Sequence, residues 1–136
     1  MKKEGKLDRN KNQLKDGERH GYWERYHENG TLSNKENYID GIPDGLAETF
    51  YSNGQLKNRC HFKNGKIDGL FEEYFEDGQL KKKLYIKNEK FDGPSERYFS
   101  NGNLWHSSNH KGKKMHGLQI ENYEDGSLQF RQDRKS

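Results

Sequence analysis

A single cysteine, Cys60, in 136 residues excludes an intramolecular disulfide and gives no sign of an oxidising compartment. Apolar residues are scarce too: 27% are hydrophobic against 35% charged, a balance that alone points toward disorder. No run approaches the roughly 20 apolar residues of a membrane-spanning helix. The basic start, MKKEGKLDRNKNQLKDG, has no apolar segment behind it, so no signal peptide is read there. A cytoplasmic protein is the resulting expectation. A formal charge of +3 is too small to imply nucleic acid by itself.

What is present is periodic. Gly21, Gly45, Gly69, Gly93 and Gly117 each lie 24 residues after the last. A second glycine follows nine residues later in every unit: Gly30, Gly54, Gly78, Gly102 and Gly126. Asn or Asp always precedes it, and leucine always stands two residues beyond: Leu32, Leu56, Leu80, Leu104 and Leu128. Such a period demands a repeat architecture, and aromatics, 12% of the chain, share it. Periodic apolar residues in so polar a chain suit a thin structure that buries little, as single-layer sheets do.

Asn-Gly or Asp-Gly between alternating segments is the strongest short-range hairpin signal, because a type I′ turn needs positive φ at both central residues. A turn at Asp77-Gly78 predicts the pairs Phe75–Leu80, Tyr74–Lys81, Glu73–Lys82, Glu72–Lys83 and Phe71–Leu84. A second turn at Asn88-Glu89, with counterparts at Asp40-Gly41, Asn64-Gly65 and Gly112-Lys113, pairs Ile86 with Phe91. Alternation then puts Phe71, Phe75, Leu80, Leu84, Ile86 and Phe91 on one face, the Phe71 face. The neighbouring unit adds Ala47, Tyr51, Leu56, Cys60, Phe62 and Ile67. The opposite Glu72 face carries Leu70, Glu72, Tyr74, Lys81, Lys83 and Tyr85, with Glu24 and Glu48 set against Lys35 and Arg59.

The fold class expected is all-β: an elongated single-layer antiparallel meander of about five 24-residue β-hairpin repeats, with about ten strands spaced about 4.8 Å apart. Residues 1–14, with Gly5 and Leu7, read as a degenerate N-terminal half-repeat or cap. Residues 15–136 read as the repeat domain, its units starting at 21, 45, 69, 93 and 117. Lys2, Lys3, Lys6 and Lys11 at one end, and Arg131, Arg134 and Lys135 at the other, are placed to blunt the sheet edges.

The segments GLAETFYSNGQL with KNGKIDG, and GLFEEYFEDGQL after them, resemble the MORN repeat family, in particular its bacterial variant repeat. The resemblance covers about residues 15 to 130. It implies a succession of β-hairpins and a noncatalytic scaffold or interaction module, sometimes dimeric. Bacterial relatives of this kind are often described as antitoxin-like, which implies a toxin or effector as partner.

No catalytic, cofactor-binding or metal-ligating set is read. The glycines sit at hairpin tips without a following helix, so no phosphate-binding loop is formed. Asp8, Asn10 and Asn12 have calcium-loop spacing, but Gln13 and Arg19 stand where glycine and glutamate are needed. His106 and His110 would share a strand face about 13 Å apart, too far for one zinc, and His116 occupies the Asp44, Asp68 and Asp92 position. Cys60 reads as a small buried filler. The glutamates at 24, 48, 72 and 96 recur once per unit against Lys or Arg and read as register-setting pairs.

The candidate partner-binding residues are the aromatic row Tyr26, Phe50, Tyr74 and Tyr98, with Tyr85 and Trp105 near it and Arg59 and Lys83 beside it. A protein partner is expected there, with a homodimer contact on the Phe71 face. The alternatives are an antitoxin or immunity protein with one dedicated toxin, or a binder of an anionic membrane surface or of nucleic acid.

Overall fold

A computed structural model describes residues 11–111, 114–115 and 117–134. Gly5 and Leu7, Asp8 and Asn10, the edge lysines Lys2, Lys3, Lys6 and Lys135, the turn at Gly112-Lys113 and His116 lie outside the described residues. Fourteen strands form one sheet. They are β1 (Gln13–Lys15), β2 (Glu18–Tyr26), β3 (Leu32–Ile39), β4 (Ile42–Pro43), β5 (Gly45–Phe50), β6 (Leu56–Lys63), β7 (Lys66–Tyr74), β8 (Leu80–Lys87), β9 (Lys90–Phe91), β10 (Gly93–Tyr98), β11 (Leu104–Lys111), β12 (Lys114–Met115), β13 (Gly117–Asn122) and β14 (Leu128–Arg134). Eleven of them follow one another across the sheet in chain order, β1-β2-β3-β5-β6-β7-β8-β10-β11-β13-β14, and every pairing is antiparallel. The short β4, β9 and β12 pair with β3, β8 and β11. This is the expected all-β meander.

The two turns of each unit differ, and the type I′ turn belongs to the second. Asp40-Gly41, Asn64-Gly65 and Asn88-Glu89 have positive φ at both residues, as does Asp16-Gly17, and Ile86 faces Phe91 across the third of these. At the first turn only the glycine does, Gly78 at φ 95. Its N–H donates to the Phe75 carbonyl at 2.9 Å, and the Phe75 N–H to that of Gln79 at 2.8 Å. That is a three-residue loop, a tight turn closed by a left-handed glycine. The residue before the glycine is Asx for a different reason: Asp77 Oδ1 accepts the Gln79 N–H at 2.9 Å, and Asn29, Asn53, Asn101 and Asp125 do the same in their units.

A three-residue loop slips the register by one. The predicted pairs Phe75–Leu80 and Tyr74–Lys81 are therefore wrong: Tyr74 faces Leu80. Lys81 is then left over as a bulge, which slips the register back, so that Glu73–Lys82, Glu72–Lys83 and Phe71–Leu84 pair as expected. The same bulge recurs at Ser33, Lys57, Trp105 and Gln129. It also exchanges faces. Leu80, Leu56, Leu32 and Leu104 stand opposite Tyr74, Phe50, Tyr26 and Tyr98, on the Glu72 face. Lys81 turns to the Phe71 face, where its ammonium lies 5.5 Å from the Phe75 ring centroid and 3.7 Å from Glu73.

Little is buried. The chain of facing residues Ala47, Cys60, Phe71 and Leu84 forms the spine of the Phe71 face. Only Cys60 and Leu84 are buried hydrophobics among the described residues, each 6% exposed. Burial pushes the Cys60 thiol pKa up, as suits a packed filler. Ser95 and Ser108 face each other and are the buried polar residues of the same layer.

Candidate interaction surfaces

The Glu72 face carries one uninterrupted charge ladder. Glu24 faces Lys35, which faces Glu48, then Arg59, Glu72, Lys83 and Glu96 in turn. Signs alternate at every step, both within hairpins and across the junctions between units. Arg59 Nε donates to Glu48 Oε2 at 2.9 Å and its guanidinium lies 3.9 Å from Glu72. Such pairs each contribute roughly 0.2–1 kcal/mol and penalise every slipped register. Beyond Glu96 the ladder passes to Ser107 and Ile120 and loses its charge.

At the other end Lys11 caps it. Lys11 Nζ donates to Glu24 Oε1 at 2.8 Å and to the Tyr26 hydroxyl at 2.8 Å, and Tyr22 and Tyr26 both donate to Glu24. Burial works against the Glu24 carboxylate, but the hydrogen bonds from Lys11, Tyr22 and Tyr26 outweigh it and hold its pKa down at about 2. Lys11 thus completes the ladder as well as standing near the sheet edge.

The aromatic row lies on this face, alternating with the relocated leucines. Its hydroxyls are engaged: Tyr98 Oη donates to Glu96 at 3.1 Å, and the Tyr74 and Tyr98 phenols are pushed up in pKa by burial and by the glutamates beside them. Tyr85 shares the face, opposite Leu70. Of the row, Tyr26 is the most open, at 51% exposure. Phe50 lies under Lys35, whose ammonium is 5.9 Å from its centroid. Tyr26, Phe50, Tyr74, Tyr85, Tyr98, Arg59 and Lys83 therefore share one face, as expected.

Trp105 does not join them. As the bulge residue of its unit it turns to the Phe71 face and stacks on Phe99, with ring centroids 5.2 Å apart and planes at 24°. There, Phe75, Phe99 and Trp105 line an open cleft of about 500 Å³ with Glu73, Lys81, Lys82 and Arg97. The sequence pattern missed this cleft because it assigned the bulge residue to the wrong face. The signal was present in the register: Trp105 occupies the position of Lys57 and Lys81.

A neighbouring hollow of about 370 Å³ holds Phe91, Ser95, His106, Ser108, His110 and Met115. His110 stacks edge-on against Phe91 at 5.2 Å and lies 3.1 Å from the Ser108 hydroxyl. Burial and the nearby His106 lower its pKa. Among the described residues no three His, Cys, Asp or Glu side chains are grouped to hold a metal ion.

The hairpin tips supply a third connection. Asn29 Nδ2 donates to the Ser52 carbonyl at 3.0 Å, Asn53 Nδ2 to that of Glu76 at 3.0 Å, and Asn101 Nδ2 to that of Glu124 at 2.8 Å. Each tip asparagine thus holds the next tip. The Asp77 carboxylate has no N–H to offer Ser100, so the chain of side-chain donors breaks at that junction.

Compared with known families, the chain matches a family model described as the MORN repeat variant over residues 19–40, 43–64, 67–88 and 115–135. No curated protein matches it. The stretch 89–114 falls between two matched segments, although β10 and β11 carry the sheet straight through it.

Proposed function

The chain belongs to the MORN repeat variant family, and from that premise we propose that it is a noncatalytic protein-interaction module, binding a protein partner through one face of its sheet. Repeats of this family are interaction modules of a non-enzymatic type. One observation carries the reading for this chain. The sheet has no second layer, and eleven large hydrophobic side chains are exposed against two that are buried among the described residues. An open sheet held together by its own ladders, with apolar side chains left facing solvent, is a surface awaiting a cover.

The test is cross-linked affinity capture from the native organism with the full chain as bait, alongside light scattering of the purified protein. A stoichiometric protein partner supports the module reading. A single dedicated partner that is toxic when expressed alone narrows it to an antitoxin or immunity protein. A self-association that excludes all other protein, or capture of nucleic acid or lipid alone, refutes it.

A further inference from the structure

Beside the second turns lysine stands opposite lysine in the register at Lys63–Lys66, Lys87–Lys90 and Lys111–Lys114; among the described residues like charges also face each other once in the middle of the sheet. On the Phe71 face a second row crosses the sheet one residue away from the ladder: Arg25, Asn34, Thr49, Asn58, Glu73, Lys82, Arg97, His106, Glu121 and Phe130, each facing the next. Its first half is largely neutral. Its second half sets Lys82 directly against Arg97, and Arg97 against His106. Like charges facing each other across strands destabilise a sheet. Glu73 lies within 3.7–3.9 Å of both Lys81 and Lys82, and His106 lies 3.7 Å from Glu121. Arg97 sits between these two pairs, is exposed, and has no ion-pair partner among the described residues.

Three further facts converge on the same spot. Lys81, Lys82 and Arg97 rim the cleft whose wall is Phe75, Phe99 and Trp105. The donor chain between hairpin tips stops short of Ser100, which lines that cleft. The family match is interrupted over residues 89–114, which contribute Arg97, Phe99 and Trp105. A local rule broken where an aromatic wall stands open marks a site retained for something other than stability.

We infer that this cleft docks an acidic segment of the protein partner, its carboxylates held by Lys82 and Arg97 and an apolar side chain laid on the Phe99–Trp105 stack; this rests on the interaction-module reading above. Arginine suits the task because its planar fork takes a carboxylate through two hydrogen bonds. A nucleic-acid strand is the poorer occupant: Glu73 and Glu121 close the basic row at both ends, leaving no track for a phosphate backbone to follow.

The probe is a fluorescein-labelled peptide of glutamates flanking phenylalanine, titrated by anisotropy into the full chain. The decisive variant is Arg97→Glu. It sets position 97 opposite in charge to Lys82, so it melts no lower than the parent while losing at least about tenfold in peptide affinity. Trp105→Ala loses affinity as well. Lys63→Glu, the same charge change beside an exposed second turn facing Lys66, binds within about twofold of the parent.

Equal binding by the parent and R97E overturns the inference, as does a single-stranded oligonucleotide that binds more tightly than the peptide and displaces it. If R97E still captures the parent's protein partners, the site is wrong and the interaction module stands. If neither captures any protein, that reading falls too.

Discussion

The hairpin tips offer a stability test that owes nothing to partner binding. Asn53 does two jobs: Oδ1 accepts the Gln55 N–H at 2.9 Å, and Nδ2 donates to the Glu76 carbonyl of the next tip at 3.0 Å. Asn53→Asp keeps the first bond and deletes the second, leaving a carboxylate oxygen against a carbonyl. The site is exposed, so water replaces part of what is lost; a solvent-accessible hydrogen bond of this kind contributes about 0.5–1.5 kcal/mol. About 1 kcal/mol of destabilisation is expected. Asp77→Asn is the reciprocal change. An amide there supplies the missing donor to Ser100, 23 residues on, the separation of the three observed bonds. Part of the gain is offset, because the Asp77 carboxylate also accepts from Gln79 Nε2 at 2.9 Å. The expected net is about 0.5 kcal/mol of stabilisation. Urea denaturation followed by far-UV circular dichroism reads both, with the slope checked for loss of cooperativity, since repeat arrays unfold in pieces. If N53D equals the parent within about 0.3 kcal/mol, or D77N destabilises, the tip bonds do not couple the repeats.

Other expectations follow from particular residues. Glu89 is held at φ 66 where Gly17, Gly41 and Gly65 stand in the other described second turns, so Glu89→Gly stabilises by about 0.5–1 kcal/mol in thermal melts; the exposed Lys66–Glu89 pair it removes, at 3.1 Å, contributes little. Leu84→Ala removes one of the two buried hydrophobics among the described residues and destabilises by about 2–4 kcal/mol, well beyond Leu80→Ala on the opposite, half-buried row, as chemical denaturation of both would show. The Glu24 carboxyl falls from 4.5 to about 2 on folding. Its contribution, about 1–2 kcal/mol after screening, is therefore complete above pH 4.5 and lost as the pH drops toward 2. Glu24→Gln should flatten that acid limb of the stability profile while leaving the neutral region parallel to the parent's; above about pH 9 the two diverge, because Glu24 also helps raise the Lys11 and Tyr22 pKa values.

The sequence alone carried the repeat, the turn sites that fall within the described residues, the hairpin register away from the tips and the pairing of Glu24, Glu48 and Glu72 with Lys35, Arg59 and Lys83. These follow from local preferences: glycine where φ must be positive, Asx beside it, and a side-chain period of two. Aspartate before glycine serves two loops, however. In one it adopts positive φ itself; in the other its side chain caps the next N–H. Which loop forms depends on how the tip stacks on its neighbour and on a bulge that absorbs the odd residue, and both are tertiary events. That single choice moved Leu80 and Lys81 to opposite faces and took Trp105 away from the tyrosine row. Only the assembled sheet could bring Lys83 against Glu96 and Lys82 against Arg97, because between β9 and β10 the register shifts away from the Ile86–Phe91 pairing that the Asn88-Glu89 turn sets. The continuity of the charge ladder from unit to unit and the facing of Lys82 by Arg97 were both decided there.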